Sequence, residues 1–132
     1  MQPDSERLSK IFVGDPVDRN GRIMYTVRAF DSKGSFEVQR SFSQFEALRK
    51  SFTQRLPGVY IPKLPKGNFF GTKDIKFLQE RAFHCEQFLK KVLRLQYLLQ
   101  SGELQVFSRP DAELRDREGN IYSVEKQLEL LP

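Results

Sequence analysis

The apolar pattern of this chain changes period once, near Arg40, and that change limits what the chain can fold into. Before it, apolar and polar residues alternate. Ile23, Tyr25, Val27 and Ala29 fall on one face of an extended run from Ile23 to Phe30. Phe36 and Val38 share a face of another run, Ser35 to Arg40, with Glu37 and Gln39 opposite. A first run, Leu8 to Val13, ends at Gly14-Asp15-Pro16. Asp18-Arg19-Asn20-Gly21 and Asp31-Ser32-Lys33-Gly34 supply turns between the runs, which predicts a three-stranded antiparallel meander.

After Arg40 the period is helical. Ser43-Gln44-Phe45-Glu46 fits a capping box, and Phe45, Leu48, Phe52 and Leu56 hold one stripe until Pro57-Gly58, predicting a helix of about 13 residues. Tyr60-Ile61-Pro62-Lys63-Leu64-Pro65-Lys66 should run extended or as polyproline II, because proline fixes φ and removes amide donors. Gly67-Asn68-Phe69-Phe70-Gly71 then sets two aromatic residues in a glycine-bracketed loop between Lys66 and Lys73. Such a loop either folds back into the core or stands out as an apolar tip with cationic shoulders, suited to a bilayer interface. A long helix from Thr72 or Lys73 carries Ile75, Leu78, Ala82, Cys85, Leu89 and Val92 on one stripe. A short one opening at Ser101-Gly102-Glu103 carries Leu104 and Phe107 and stops at Pro110. The closing acidic stretch holds one more short helical phrase, Val124 to Leu131. The expected fold class is α+β, a three-stranded antiparallel sheet packed against a helical subdomain with a polyproline loop.

Composition removes several functions from consideration. A chain of 132 residues supports one core. One cysteine forms no internal disulfide, so the chain reads as cytosolic or cytosol-facing. The charged start shows no secretory signal, and no run approaches the ~20 apolar residues of a transmembrane helix, so contact with a membrane is expected to be peripheral. His84 and Cys85 are adjacent on a predicted helix and therefore about 100° apart around it, unable to meet as base and nucleophile. Neither an enzyme nor a metal site or cofactor is expected.

Charge is divided unevenly. The net +5 combines a stretch from Pro110 onward of −3 with +8 on residues 1–109. Between Arg40 and Arg94 twelve basic residues face four acidic ones, which points to an anionic partner. The pairs Arg49/Lys50 and Lys90/Lys91 read as solvated helix faces. Lys63, Lys66 and Arg81 come from two segments able to converge on one pocket, as a phosphorylated ligand requires. No recognition helix or RNA-binding aromatic motif accompanies the basic region, so nucleic acid is not the expected partner.

In this order the parts resemble the PX (phox homology) domain found in sorting nexins. Arg40-Ser41-Phe42-Ser43-Gln44-Phe45-Glu46-Ala47-Leu48 is similar to the family's Arg-Arg-Tyr/Phe-Ser-Asp-Phe-x-x-Leu. Pro57 through Lys66 looks like its proline-rich loop, Glu80 through Leu89 like its Arg-x-x-x-Leu-x-x-Phe-Leu helix, and Ser101 through Phe107 like its closing Ser-x-x-Leu-x-x-Phe. The resemblance divides the chain into an N-terminal extension at 1–7, a PX-like domain at 8–110 and an acidic tail or linker at 111–132. It implies a phosphoinositide-binding module for membrane recruitment in endosomal trafficking, reading phosphatidylinositol 3-phosphate foremost and lying peripherally on the cytoplasmic side of endosomes.

Carried over by position, Phe42 is the floor beneath the inositol ring and Arg81 bonds the ring hydroxyls. The resemblance puts Phe69 and Phe70 in the membrane-entering loop, with Lys63 and Lys73 facing lipid charge. Two positions depart from the family. The Arg expected to grip the 3-phosphate is Ser41, with Arg40 one residue early and, by alternation, facing the other way unless a bulge re-aims it. The Lys expected for the phosphodiester is Gly67, with Lys66 one residue early. Losing a charge-assisted Arg contact costs about 2–4 kcal/mol, so altered head-group selectivity is expected. The alternative is a PX scaffold that has lost lipid selectivity and serves protein–protein interaction.

Overall fold

Asn20 and Gly21 both take positive φ, 55° and 85°, the pair of angles that a two-residue hairpin turn requires. That turn joins β1 (Lys10–Arg19) to β2 (Arg22–Asp31), which pairs in turn with β3 (Gly34–Ser41) in a sheet of order β1-β2-β3. The computed structural model describes residues 10–31, 34–65, 74–110 and 123–132. The expected strand start at Leu8, the turn residues Ser32 and Lys33, and the extension at 1–7 lie outside the described residues.

β1 is longer than predicted. It continues through Gly14-Asp15-Pro16 by a register irregularity between Gly14 and Val17, which accommodates Pro16 without breaking the edge strand. At Gly14 a Cβ would stand 2.5 Å from the tip of the Phe12 ring, so a larger residue there would make that exposed side chain swing aside. β2 follows its alternation, with Tyr25, Val27 and Ala29 buried. Its pairing with β3 runs without interruption from Asp31↔Gly34 to Met24↔Ser41.

Five helices follow among the described residues: α1 (Phe42–Arg55), α2 (Ile75–Arg94), α3 (Gln96–Leu99), α4 (Gly102–Ser108) and α5 (Val124–Glu129). α2 packs on β1 and buries Leu78, Ala82, Cys85, Leu89 and Val92, the predicted stripe, but Ile75 at its first turn is exposed. The core centres on Phe45, whose ring meets Phe107 at 4.9 Å and Phe88 at 6.4 Å between centroids, both edge-on. An ion pair between Arg55 and buried Glu103 ties α1 to α4.

The proline-rich segment is held from both sides. Arg49 of α1 donates Nε to the Pro62 carbonyl at 2.9 Å, and the Tyr97 hydroxyl donates to the Tyr60 carbonyl at 2.6 Å. Arg49 therefore works as a brace and not as the solvated charge expected of it. Residues 111–122 lie outside the described residues. Residues 123–132, read from sequence as the end of a tail, carry α5, which packs on α1 and α4. The reason is an i,i+4 pair: Val124 and Leu128 are both buried and join the common core.

Candidate functional site

The candidate site lies where β3 becomes α1. Ser41 is at once the last residue of β3 and the N-cap of α1. Its hydroxyl accepts from the Gln44 amide at 3.2 Å, and Gln44 Oε1 accepts from the Ser41 amide at 2.9 Å. This reciprocal capping box stands two residues before the one predicted at Ser43 and Glu46. Both phrases fit the pattern; strand pairing decides between them, because Ser41 is the last β3 residue opposite β2. Ser41 is buried and committed to the backbone.

Phe42 follows and is buried, with the Arg81 guanidinium 4.0 Å from its ring centroid. Phe77, one turn before Arg81 on α2, brings a second ring to 4.7 Å from the same guanidinium. Phe42 and Arg81, both singled out from sequence, are thus brought together from α1 and α2. Tyr25 of β2 lies close to it. The phenol is buried with no hydrogen-bond partner for its hydroxyl, and burial foremost, with Cys85 adding, pushes it up to about 12 while Arg81 opposes the rise. Burial likewise holds Cys85 as a thiol, pushed up to about 12, and His84 beside it is exposed.

Arg40, grouped from sequence with the head-group residues, is fully buried and serves the backbone instead. It donates Nε to the Phe107 carbonyl at 2.9 Å, Nη1 to Gln39 O at 2.7 Å and Nη2 to Arg109 O at 2.6 Å. Its guanidinium also lies 5.7 Å from the Phe107 centroid. The correction follows from alternation: the β2–β3 register is unbroken, so Arg40 shares the inward face with Val38, and no bulge turns it toward Phe42's surroundings.

A group the sequence did not point to completes the first turn of α1. Arg22, at the start of β2, donates Nη2 to the Ser43 hydroxyl at 3.0 Å and to Glu125 Oε2 at 2.9 Å. Gln44 Nε2 donates to Glu125 Oε1 at 2.9 Å, and the Ser41 and Ser43 hydroxyls are 3.0 Å apart. Burial alone would raise the Glu125 carboxyl, but hydrogen bonds from Gln44, the backbone and Arg22, with the Arg22 charge, bring it below its ordinary value. Arg22 and Glu125 are 103 residues apart, so neither spacing nor period could have revealed them.

Lys63 is exposed, and beside it Glu46, Arg49, Lys50, Thr53, Leu64 and Pro65 line an open cleft of about 300 Å³. Lys66, Phe69, Phe70 and Lys73 lie outside the described residues. The stretches flanking them expose Tyr60 and Ile75, at 59% and 57%, and Phe83 one face further along α2. No described helix is long and apolar enough to cross a membrane.

Comparison with known proteins agrees with this fold. The chain is 38% identical to sorting nexin-11 of Homo sapiens over 81 residues, covering 61% of this chain and 29% of that protein. It is 30% identical to sorting nexin-10 of Bos taurus over 97 residues, covering 69% of this chain and 48% of that one. It therefore spans less than half the length of these curated relatives. A solved structure described as a designed CISK-PX domain superposes with a TM-score of 0.68 at 21% identity, covering 76% of this chain and 98% of that one. The family profile for the PX domain matches residues 28–111, a span that runs from the middle of β2 to just past α4, and on that evidence this chain belongs to the PX domain family.

Proposed function

We propose that this PX domain is a non-enzymatic recruitment module that attaches peripherally to phosphoinositide-bearing membranes, in the manner of a sorting-nexin-like protein acting on endosomes. The observation that carries the reading is the meeting of Arg81 and Phe42: the guanidinium lies 4.0 Å from the Phe42 ring centroid, so a cation from α2 and an aromatic ring from α1 stand together. An inositol ring needs that combination, a flat apolar surface and charge-assisted donors at its edge. The +8 on residues 1–109 supports it by drawing the domain to an anionic surface. So do the exposed Tyr60 and Ile75, which flank the loop of Phe69 and Phe70 proposed to enter the bilayer. Phosphatidylinositol 3-phosphate is the proposed ligand, with Lys66 meeting the phosphodiester and Lys63 and Lys73 meeting lipid charge. Cosedimentation with vesicles carrying each phosphoinositide tests the reading. Binding that is lost in Arg81→Ala and in Phe69→Ala/Phe70→Ala supports it; no sedimentation with any phosphoinositide defeats it.

One observation favours a second reading, a PX scaffold given over to protein–protein contact. Ser41 stands where a phosphate-gripping Arg is expected, and its hydroxyl is spent on the α1 cap. Ser41→Arg separates the readings. A large gain for 3-phosphorylated lipid indicates a pocket short of one cation, and no gain favours the scaffold.

A further inference from the structure

We infer that Glu125 is an internal stand-in for a phosphate: its carboxylate occupies a cradle made by Arg22, Ser43 and Gln44 at the first turn of α1, and an anionic head group must displace it to bind there. The inference rests on the recruitment reading and concerns the two α1 residues that follow Phe42. Each carboxylate oxygen is held by one side-chain donor, Oε2 by Arg22 Nη2 and Oε1 by Gln44 Nε2, both at 2.9 Å. Two oxygens of a phosphate accept from the same donors, and the Ser43 hydroxyl, 3.0 Å from Arg22 Nη2, lies within the same cluster. Arg22 thereby supplies, from the opposite strand, the guanidinium that position 41 lacks.

The charge of α1 points the same way. Its first turn contains no acidic residue of its own, so the positive end of a 14-residue helix is neutralised by a carboxylate delivered from another element. Delivery is apolar: Val124 and Leu128 bury α5 against α1 and α4, and the Ser123 hydroxyl caps α5 by accepting from the Lys126 amide. The contact is also reversible. Arg22 and Glu125 retain 44% and 34% side-chain exposure, so water and a head group reach the pair, and pairs of that exposure are weak. A ligand that competes with an attached rival binds less tightly by the fraction of molecules in which the rival is away.

The test uses the full chain and phosphatidylcholine vesicles with and without phosphatidylinositol 3-phosphate, with inorganic phosphate as a separate arm. Glu125→Ala is expected to tighten vesicle binding about twofold to fivefold, the worth of an exposed ion pair. Glu125→Gln, which keeps the side chain's size and guards against a folding defect, should shift binding the same way by less. Adding Arg22→Ala to Glu125→Ala should abolish the gain. Equal, measurable binding by the wild type and both Glu125 variants overturns the inference and leaves the recruitment reading standing. A gain that survives Arg22→Ala overturns it as well. A response to inorganic phosphate without a vesicle response overturns the lipid assignment, and failure of every variant on every vesicle defeats the recruitment reading and this inference together.

Discussion

Arg40 and Arg81 both serve the junction of β3 and α1, and their surroundings could hardly differ more. Arg40 is fully buried, and three of its nitrogens donate to backbone carbonyls, two of them at the end of α4. Arg81 lies across the faces of Phe42 and Phe77, ring systems that attract its charge but accept no conventional hydrogen bond. A buried cation bound by carbonyls is part of the frame. A cation resting on aromatic faces is held by ring charge instead, at the place proposed for the head group. In sequence they are equal members of one basic stretch, so counting charge could not separate them.

Substitutions should break the comparison unevenly. Arg40→Ala leaves carbonyls near the β3–α4 contact without their donor, and the loss should be about 3–5 kcal/mol of stability, read in a denaturant titration. Unaltered stability would show that the frame does not depend on it. Arg81→Ala should forfeit only about 0.5–2 kcal/mol of stability while lowering vesicle binding by tens of times. A protein that loses both equally would place Arg81 with Arg40 after all. Ser41→Ala removes the α1 cap and should cost about 1 kcal/mol, seen as a lower midpoint at unchanged slope.

The smallest effect concerns pH. The folded Glu125 carboxyl titrates below its ordinary value of 4.5, so its contribution to α5 docking is complete above that value and is lost as pH falls through the lower folded one. Mild acidification to about pH 5 should therefore leave α5 in place, and the exposed pair with Arg22 should be worth under about 1 kcal/mol. Hydrogen exchange of residues 124–129 as a function of pH measures it; release of α5 between neutrality and pH 5 would contradict the sign.

Local order was legible in the sequence and long-range commitment was not. Alternation gave Tyr25, Val27 and Ala29 their inward face, and period placed Leu78 through Val92 on the buried stripe of α2. Alternation even gave Arg40 its direction. Its partners were hidden because Phe107 and Arg109 lie 67 and 69 residues away. The cap was misplaced by two residues because two serines offered the same pattern and only pairing with β2 chose between them. Phe42 and Arg81 were singled out through a family likeness and do lie together, whereas Arg22 and Glu125 belong to no motif and became visible only when α5 was seen against α1.

The Arg40 clamp has a mechanical consequence. It grips the carbonyls of Phe107 and Arg109, the last turn of α4 and the residue that leaves it. A displacement of Arg109 is therefore passed through these bonds to β3, one residue from Ser41. The end of α4 and the start of α1 are thus coupled as one rigid corner, so that a shift of either carries the other with it.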